Sequence, residues 1–486
     1  MGPIHRRSFL KVAGLATCSA LAGGCCGGMM SKIAKSSNPN FLFILIDDLN
    51  KAWVSPYGNT DVKMPHLDRL AAQGLKFNNF YSMPQCTPTR TTLLTGQYPF
   101  HHGWVNHWDV PRWGTGHFDE KHNMTFARTL RQAGYKTAVA GKWQINDFRR
   151  EPDAMTKHGF DDYCMWTGYE AQNPPSSERY WNPYIHTNSG SKTCKDKFGA
   201  DVFTDFLINF MKENKNQPMA MYFPMALTHG PNTTTPTEKD IKTSRDKFKA
   251  MIRYTDLCLG RLVEAIENLG IRRNTIIIWT TDNGASDGMS VDVDGHKVMG
   301  GKAKLTENGT CQPFIVSCPG LVPQGIETDA LSDLTDIYPT FAELAGLAMP
   351  KGITIDGVSL AKVFKGEDQA GPRKWILSMG GGAGRIGPSG RVQNWEKYAN
   401  RVIRDKRYKL FIENGIASRL HDLQQDRWEE NNLIGSTQTE HIAAKKRLQG
   451  YLDTMPKTDA NPKYDSLPAK PWDKKASDFP ATRRRK

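Results

Sequence analysis

The sequence predicts an α/β protein with a large, mostly parallel central sheet flanked by helices, followed by a smaller C-terminal α+β domain. Two observations carry this prediction. Strand patterns alternate with helical patterns along the first part of the chain, and after about Lys374 short strands and one closing helix replace them. The alternation is typical of a parallel sheet, because each parallel strand pair needs a crossover connection, usually a helix.

The first strand is the most distinctive element. Phe41–Ile46 is a continuous apolar run that ends in Asp47 and Asp48, and such a run is typical of a strand buried on both faces. Ligands of open α/β sheets bind at the carboxyl ends of strands. Asp47 and Asp48 are therefore candidate site residues.

Further elements follow in alternation. The predicted helices are His66–Gln73, Thr125–Ala133, Ala200–Glu213 and Phe248–Leu269, and the predicted strands are Lys136–Ala140, Met219–Met225 and Thr275–Thr281. In the last part the predicted strands are Trp375–Met379, Arg401–Arg404 and Tyr408–Ile412, before a helix at Glu440–Leu452. Asn106–Asp119 and Asn173–Gly190 are rich in Pro, Gly, Asn, Ser and aromatic residues, which predicts long loops over a site.

These patterns divide the chain into four parts. They are an N-terminal targeting segment and linker (1–37), the main α/β domain (38–374), the smaller C-terminal domain (375–467) and a basic, disordered tail (468–486).

The chain has 486 residues and a formal net charge of +14. A basic balance attracts polyanions such as sulfated glycans, nucleic acids and anionic membranes, although surplus Lys and Arg also occur as ordinary solvated surface. The sequence contains no RNA-binding motif, zinc-finger spacing or basic heptad region, so nucleic acid is not an expected partner. No stretch beyond the N-terminus approaches the roughly 18 apolar residues of a transmembrane helix.

The N-terminus predicts export. His5-Arg6-Arg7-Ser8-Phe9-Leu10-Lys11 resembles the twin-arginine motif and precedes the weakly apolar run Val12–Gly24. Ala22-Gly23-Gly24-Cys25 resembles a lipoprotein cleavage box, with Ala in place of the usual Leu. We therefore expect a periplasmic protein, lipid-anchored or free, or an extracellular one.

Nine cysteines are present, three of them in the N-terminal segment. Without Cys86, the other five permit at most two intramolecular disulfides, with no connectivity given by sequence. These five are Cys164, Cys194, Cys258, Cys311 and Cys318.

Cys86-Thr87-Pro88-Thr89-Arg90 is the central motif. Taken alone, it is typical of a buried thiol beside a turn. Thr91–Gly96 continues it as an amphipathic helix, so Cys86 lies near a helix N-terminus, where the helix dipole favours an anion.

Cys-x-Pro-x-Arg followed by Leu94-Thr95-Gly96 resembles the signature of the type I, formylglycine-dependent sulfatases, which belong to the alkaline phosphatase superfamily. The resemblance implies an alkaline phosphatase-like fold with 38–374 as the catalytic domain. It also implies that a maturation enzyme, either a formylglycine-generating or an anaerobic sulfatase-maturing enzyme, oxidises Cys86 to formylglycine. In that family, one hydroxyl of the formylglycine hydrate attacks sulfur and displaces the alcohol, and the other then expels sulfate as the aldehyde re-forms.

Asp47-Asp48 and Asp282-Asn283 each follow a predicted strand. Three carboxylates and an amide oxygen form a hard, oxygen-only set that suits calcium, and magnesium less well. By resemblance, these four residues hold a calcium ion.

The resemblance extends to the cationic residues. Lys142 lies in a Gly-Lys-Trp element, His229 follows a predicted strand, and Lys302 follows two glycines. The resemblance implies that Lys142 and Lys302 contact sulfate and that His229 binds sulfate or protonates the departing alcohol. It also implies that Arg90 stabilises the formylglycine. Together these residues supply the positive field that developing charge on sulfuryl oxygens requires.

One position departs from the family pattern. Gln144 stands where the family has a histidine after Gly-Lys-Trp, and glutamine is not a base near neutral pH. A slower enzyme, a subfamily with another base and a sulfate-binding protein without turnover are the three interpretations, of which we favour the second. His101, His102 and His107 are candidates for a substitute base or for substrate contacts.

The sequence thus predicts a sulfatase acting on a sulfated carbohydrate. The alternatives are a phosphonate monoester or phosphodiester hydrolase of the same superfamily, and a non-catalytic sulfoglycan-binding protein. Gly382–Gly387 formally matches a dinucleotide-binding fingerprint, but Pro388-Ser389-Gly390 follows instead of a helix, so no such cofactor is expected.

Overall fold

The structure is a computed structural model that describes residues 38–168 and 177–479. The predicted N-terminal targeting segment lies outside the described residues. From Asn38 onward the chain forms one compact unit.

An eleven-stranded mixed sheet forms the centre of this unit. The strands up to residue 333, in chain order, are β1 (Asn40–Ile46), β2 (Leu75–Tyr81), β3 (Lys136–Lys142), β4 (Asp162–Trp166), β5 (Tyr184–Thr187), β6 (Gly190–Thr193), β7 (Met219–Pro224), β8 (Thr275–Thr281), β9 (Val291–Val293), β10 (His296–Val298), β11 (Cys311–Ser317), β12 (Ile326–Thr328) and β13 (Ser332–Asp333). The order across the sheet is β12-β2-β11-β8-β1-β7-β3-β4-β5-β6, with β13 also paired to β2, while β9 and β10 form a separate hairpin.

The five central strands, β8, β1, β7, β3 and β4, run parallel, as predicted. The flanking strands β11, β5 and β6 are antiparallel to their neighbours, so the whole sheet is mixed. In the central pair, Ile46 of β1 lies opposite Thr281 of β8. The residues that follow both strands therefore share one edge of the sheet.

Helices cover both faces of the sheet, and the predicted ones form within a few residues of their expected ends. The α-helices of the described chain, predicted or not, are α1 (Pro65–Ala72), α2 (Cys86–Thr95), α3 (Pro99–His102), α4 (Val110–Trp113), α5 (Phe126–Gln132), α6 (Ala154–Lys157), α7 (Ser177–Tyr180), α8 (Gly199–Asn214), α9 (Ser244–Asn268), α10 (Glu307–Thr310), α11 (Ile337–Leu344), α12 (Ala361–Phe364) and α13 (Thr439–Asp453).

Side chains of β1 alternate between two apolar cores. Phe41 and Phe43 pack into the core on one face, whereas Leu42 and Ile44 pack into the core on the other. Every residue of β1 is buried. The continuous apolar run in the sequence follows directly from this double burial.

A second, antiparallel sheet lies in the C-terminal part of the chain, in the order β14-β17-β18-β19. Leu448 and Leu452 of α13 pack on it against Leu410 of β18. The remaining strands are β14 (Ile376–Met379), β15 (Arg385–Ile386), β16 (Val392–Gln393), β17 (Arg401–Arg404), β18 (Tyr408–Glu413) and β19 (Ile416–Asp422). β15 and β16 pair as a hairpin, so the glycine-rich segment 382–387 leads into a strand and not into a helix.

Three predictions differ from the structure. The segment predicted as a loop over 106–119 contains the short helix α4. The segment predicted as a loop over 173–190 contains α7 and β5 in its described part, and residues 173–176 lie outside the described residues. The predicted disordered tail begins at residue 468, yet over 468–479 the chain is packed: the Trp472 ring lies 4.1 Å from the Arg149 guanidinium, and Asp473 pairs with Arg150 at 3.1 Å. Residues 480–486 lie outside the described residues.

Candidate active site

The candidate site lies at the carboxyl edge of the central parallel strands. Asp47 and Asp48 follow β1, Asp282 and Asn283 follow β8, and Lys142 is the last residue of β3. His229 lies in the connection after β7. Since parallel strands end at a common edge, residues 235 positions apart in sequence come into hydrogen-bonding contact here.

Asp47 is the centre of a buried cluster of charged groups. Its Oδ2 accepts hydrogen bonds from Arg90 Nη2 at 2.8 Å and from Lys142 Nζ at 2.5 Å. Arg90 also contacts Asp282 Oδ2 at 3.2 Å. All four side chains are buried, so these ion pairs are little screened by solvent.

Asp48 joins the remaining predicted residues to this cluster. Its Oδ2 lies 2.6 Å from Lys302 Nζ and 3.6 Å from His229 Nε2. Its Oδ1 accepts a hydrogen bond from Asn283 Nδ2 at 2.8 Å, and its backbone N–H donates to Asp282 Oδ1 at 3.0 Å. Asp48 has a φ of 60°, a left-handed conformation that is uncommon for a non-glycine residue and frequent at functional sites.

The charges of the cluster shift the pKa values of its members. Burial alone would raise the pKa of Asp47, but the Lys142 and Arg90 cations outweigh burial and hold that pKa well below its usual range. Burial, and then the neighbouring Asp47 carboxylate, raise the pKa of Asp282. Against the opposing effect of burial, Asp47 raises the pKa of Arg90 and Asp48 raises the pKa of Lys302.

Two oxygen atoms of the predicted metal ligands have no hydrogen-bond partner among the described residues. They are Oδ1 of Asp47 and Oδ1 of Asn283, and both are buried. Buried acceptors of this kind are costly unless they are satisfied. Oxygen donors with free lone pairs suit a hard divalent cation, so the four predicted residues fit a calcium ion. Ligand atoms of Asp47, Asp48 and His229 also lie within 4.8 Å of one another, so His229 borders the set of carboxylate oxygens.

Cys86 is the first residue of α2 and is fully buried. Thr89, one turn later, donates a hydrogen bond to the carbonyl oxygen of Asp282 at 2.9 Å, which fixes the helix against the end of β8. The backbone N–H of Ala303 donates to the carbonyl of Pro84 at 2.8 Å and so ties the Lys302 segment to the residues before Cys86.

Of the three candidate histidines near Gln144, only His107 contacts Cys86. Its Nδ1 lies 3.5 Å from Cys86 Sγ and 3.3 Å from Thr87 Oγ1. His101 pairs with Asp356 at 2.9 Å. His102 is buried, with its Nε2 3.1 Å from Thr92 Oγ1.

The backbone of His107 is held by the glycine-rich segment that precedes β15. Its N–H donates to the Gly382 carbonyl at 2.9 Å, and its carbonyl accepts from the Gly384 N–H at 2.9 Å. Burial lowers the pKa of His107 to about 4, so the ring is neutral near neutral pH. Gln144 is buried, and its Oε1 has no hydrogen-bond partner within the described chain.

Arg179 is a residue of the site that the sequence does not single out. It lies in α7, and its Nη1 lies 2.9 Å from Nδ1 of His229. Its sequence context is a polar segment predicted as a loop, and no motif marks it.

The cysteines form no disulfide in the described residues. Cys86, Cys164, Cys194, Cys258, Cys311 and Cys318 are all free thiols. No helix in 38–168 or 177–479 is both long and apolar enough to cross a bilayer.

Fold and site together define an α/β protein with a buried acidic and basic cluster at the ends of its central strands. A family model described as Sulfatase matches residues 39–347, more than half of the chain. The chain belongs to the sulfatase family, as the motifs predict.

Known relatives agree with this assignment, and a solved structure shares the fold. The N-acetylgalactosamine-6-sulfatase of Canis lupus familiaris is 28% identical over 68% of this chain and 66% of its own length. The ulvan-active sulfatase of Formosa agariphila is 27% identical over 84% of this chain and 79% of its own. Among solved structures, Ps i-CgsB superposes with a TM-score of 0.72 at 23% identity, over 85% of this chain and 93% of that one, and so shares the fold.

Proposed function

We propose that the protein hydrolyses the sulfate esters of a sulfated carbohydrate, with formylglycine formed from Cys86 as the source of the nucleophile. The observation that carries this proposal is the network that joins Arg90, Lys142 and Lys302 to the acids at the strand ends, beside the N-terminus of α2. Helix N-termini and fixed cations are the features that bind a sulfuryl group and stabilise charge developing on its oxygens.

Calcium fits this cluster electrostatically. The formal charges of its three carboxylates and of its three Lys and Arg side chains sum to zero. With a bound divalent cation, the cluster therefore has a net charge of two positive units. Asp47, Asp48, Asp282 and Asn283 would hold the ion. When bound, calcium supplies positive charge to the sulfuryl oxygens, and formylglycine supplies a hydroxyl nucleophile. The excess charge suits an anionic sulfate ester.

The other residues act on the substrate or on the side chain at residue 86. Lys142 and Lys302 bind sulfuryl oxygens, Arg90 orients the side chain at residue 86, and His229 donates a hydrogen bond toward the departing oxygen. His107, with its Nδ1 beside residue 86, holds and moves the proton at that side chain, a role that Gln144 does not fill.

A polar cavity of about 310 Å³ supports a carbohydrate substrate. It lies next to the site, between the segment that follows Lys302 and the residue that precedes His107. Sugar hydroxyls form hydrogen bonds with side chains of this kind, and the names of two relatives, N-acetylgalactosamine-6-sulfatase and ulvan-active sulfatase, point to the same substrate class. The cavity is lined by Asn106, Lys304, Thr306, Glu396, Asn400 and Arg419, among others.

Relative rates on an aryl sulfate and a phosphodiester test the reaction class. We expect kcat/KM to be higher for the sulfate, because a sulfate monoester presents three terminal oxygens to the cations of the cluster, whereas a phosphodiester of the same charge has a second ester group in place of one of them. A higher kcat/KM for the phosphodiester would favour the phosphonate or phosphodiester hydrolase instead. Tight binding of sulfated saccharides without sulfate release, with Cys86 fully converted, would favour the non-catalytic sulfoglycan-binding protein.

Removal of calcium is expected to abolish turnover and to lower the Tm, because the folded state loses a bound ligand. Calorimetric titration of chelator-treated protein should show one calcium site, and calcium should restore activity better than magnesium. Asp282→Asn should lose this site. The matched control is Asp465→Asn, which removes a carboxylate from a second Asp/His cluster at Asp119 and His122. If Asp465→Asn, and not Asp282→Asn, abolishes binding, the assignment is wrong.

We further propose that the N-terminal segment directs export by the twin-arginine route, with Cys86 converted before transport because that route carries folded protein. The Arg6-Arg7 pair supports this proposal. Fractionation of cells that make the full chain tests it, and protein confined to the cytoplasm would contradict it.

A further inference from the structure

Arg179 is a buried cation with an unusual partner. The side chain is 4% exposed, and its guanidinium lies 4.1 Å from the centre of the Trp166 ring. No carboxylate among the described side chains lies within 4.0 Å of it. Among the described residues, its Nη1 lies 2.9 Å from Nδ1 of His229 and 3.5 Å from the carbonyl oxygen of Gly230. A buried guanidinium is costly unless acceptors satisfy its hydrogens, and Nδ1 of His229 is one such acceptor.

The Nδ1 atom of His229 has two neighbours with opposite requirements. The carbonyl oxygen of Gly230 lies 2.7 Å away and can only accept a hydrogen bond. Arg179 can only donate, because its guanidinium has no free lone pair. A hydrogen on Nδ1 would satisfy Gly230 and point at a hydrogen of Arg179. A lone pair on Nδ1 satisfies Arg179 instead.

The opposite ring nitrogen faces the candidate site. Nε2 of His229 lies 3.6 Å from Oδ2 of Asp48. If Nδ1 accepts from Arg179, the single hydrogen of the neutral ring must be on Nε2. Protonation of both nitrogens would again set a hydrogen of His229 against one of Arg179.

We propose that Arg179 is a positioning residue that fixes His229 in the neutral tautomer with its hydrogen on Nε2. His229 then enters the site as an uncharged hydrogen-bond donor and not as a base. The assignment of the tautomer does not depend on the proposed function. The further step, in which Nε2 of His229 donates to an oxygen of the sulfate ester, rests on the proposed function.

The surroundings keep Arg179 in this position. Its guanidinium lies 4.1 Å from the ring of Trp166 and 5.6 Å from the ring of Tyr180. The Tyr180 hydroxyl donates to the carbonyl of Ala226 at 2.8 Å, which ties α7 to the connection after β7 that carries His229. In the absence of Arg179, the Gly230 carbonyl would draw the hydrogen to Nδ1 and reverse the tautomer.

Long-range ¹H–¹⁵N correlation spectra of protein labelled with ¹⁵N-histidine test this proposal. The protein carries unconverted Cys86 and added calcium, so no turnover takes place, and comparison with His229→Gln assigns the signals. The wild type is expected to show a protonated Nε2 and an unprotonated Nδ1. Arg179→Met is expected to move the hydrogen to Nδ1, and Arg179→Lys, which keeps a cationic donor, is expected to retain it on Nε2.

Arg150→Met is the matched control. Arg150 pairs with Asp473 and not with His229, so this substitution is expected to leave the tautomer of His229 unchanged. A wild-type spectrum with the hydrogen on Nδ1 overturns the proposal even if Arg179→Met does not fold. An unchanged tautomer in a folded Arg179→Met protein overturns it as well.

A kinetic readout separates this proposal from the proposed function. In converted enzyme, Arg179→Met is expected to lower kcat by about 10- to 100-fold with little change in KM, less than the roughly 10²- to 10³-fold loss when a direct transition-state donor is removed. If the wild type releases no sulfate, the proposed function fails, while the tautomer measurement still decides the role of Arg179.

Discussion

Cys86→Ala is expected to abolish measurable sulfate release while the protein stays folded and still binds calcium. The side chain at residue 86 begins α2 beside Arg90 and Lys302, where a helix N-terminus and fixed cations favour a reacting anion. Alanine leaves no group for maturation to convert, and the remaining cations bind sulfate without attacking it. The measurement is sulfate release from an aryl sulfate, together with calorimetric titration of calcium.

The mass of the residue-86 peptide completes this experiment. Conversion to formylglycine lowers the mass of the wild-type peptide, and the active fraction of a preparation should track the converted fraction. Cys258→Ala is the matched control, since Cys258 is also a buried free thiol but lies in α9. Sulfate release by Cys86→Ala at the wild-type rate would contradict the assignment, as would an unmodified Cys86 in active protein from the native host.

Much of this site could be predicted because its acidic residues, Lys142 and Cys86 are tied to strand or helix ends that have a local sequence signal. Asp47 follows an unbroken apolar run, and Asp282 follows a β-branched one. A parallel sheet brings such ends to one edge, and the pairing of Ile46 with Thr281 does so here. The motif around Cys86 forms the first turns of α2, so its position at a helix N-terminus also followed from the sequence.

The remaining contacts depend on segments that meet only in the folded chain. Gly382 holds the backbone of His107 from 275 positions away, and nothing local in either segment specifies that pairing. Arg179 reaches His229 from α7, inside a stretch whose polar composition predicts a loop. The packed segment 468–479 is similar: its Pro, Lys and Arg content is typical of a tail, yet Trp472 covers Arg149. Composition describes a segment alone, whereas these positions are set by their partners.

His107→Ala is expected to slow sulfate release by about 10²- to 10⁴-fold, the range for loss of a positioned acid or base. Its Nδ1 is 3.5 Å from the side-chain atom of residue 86, and Gln144 offers no base there. We expect kcat to fall far more than KM, because His107 moves a proton and does not anchor the sulfate. Since burial lowers its pKa to about 4, His107 is a neutral base above that pH, and wild-type kcat should fall as the pH drops through about 4. That acidic limb should be absent in the residual activity of His107→Ala.

A base restored at position 144 provides the decisive comparison. Gln144→His in the His107→Ala background is expected to recover part of the lost rate, because the family places a histidine at that position. His101→Ala is the control, since His101 pairs with Asp356, and its removal should leave kcat nearly unchanged. If His107→Ala stays close to the wild-type rate, another group moves the proton. If Gln144→His alone creates activity in a chain that otherwise shows none, the natural protein binds sulfated ligands without turnover, and the role of His107 falls with the enzymatic interpretation.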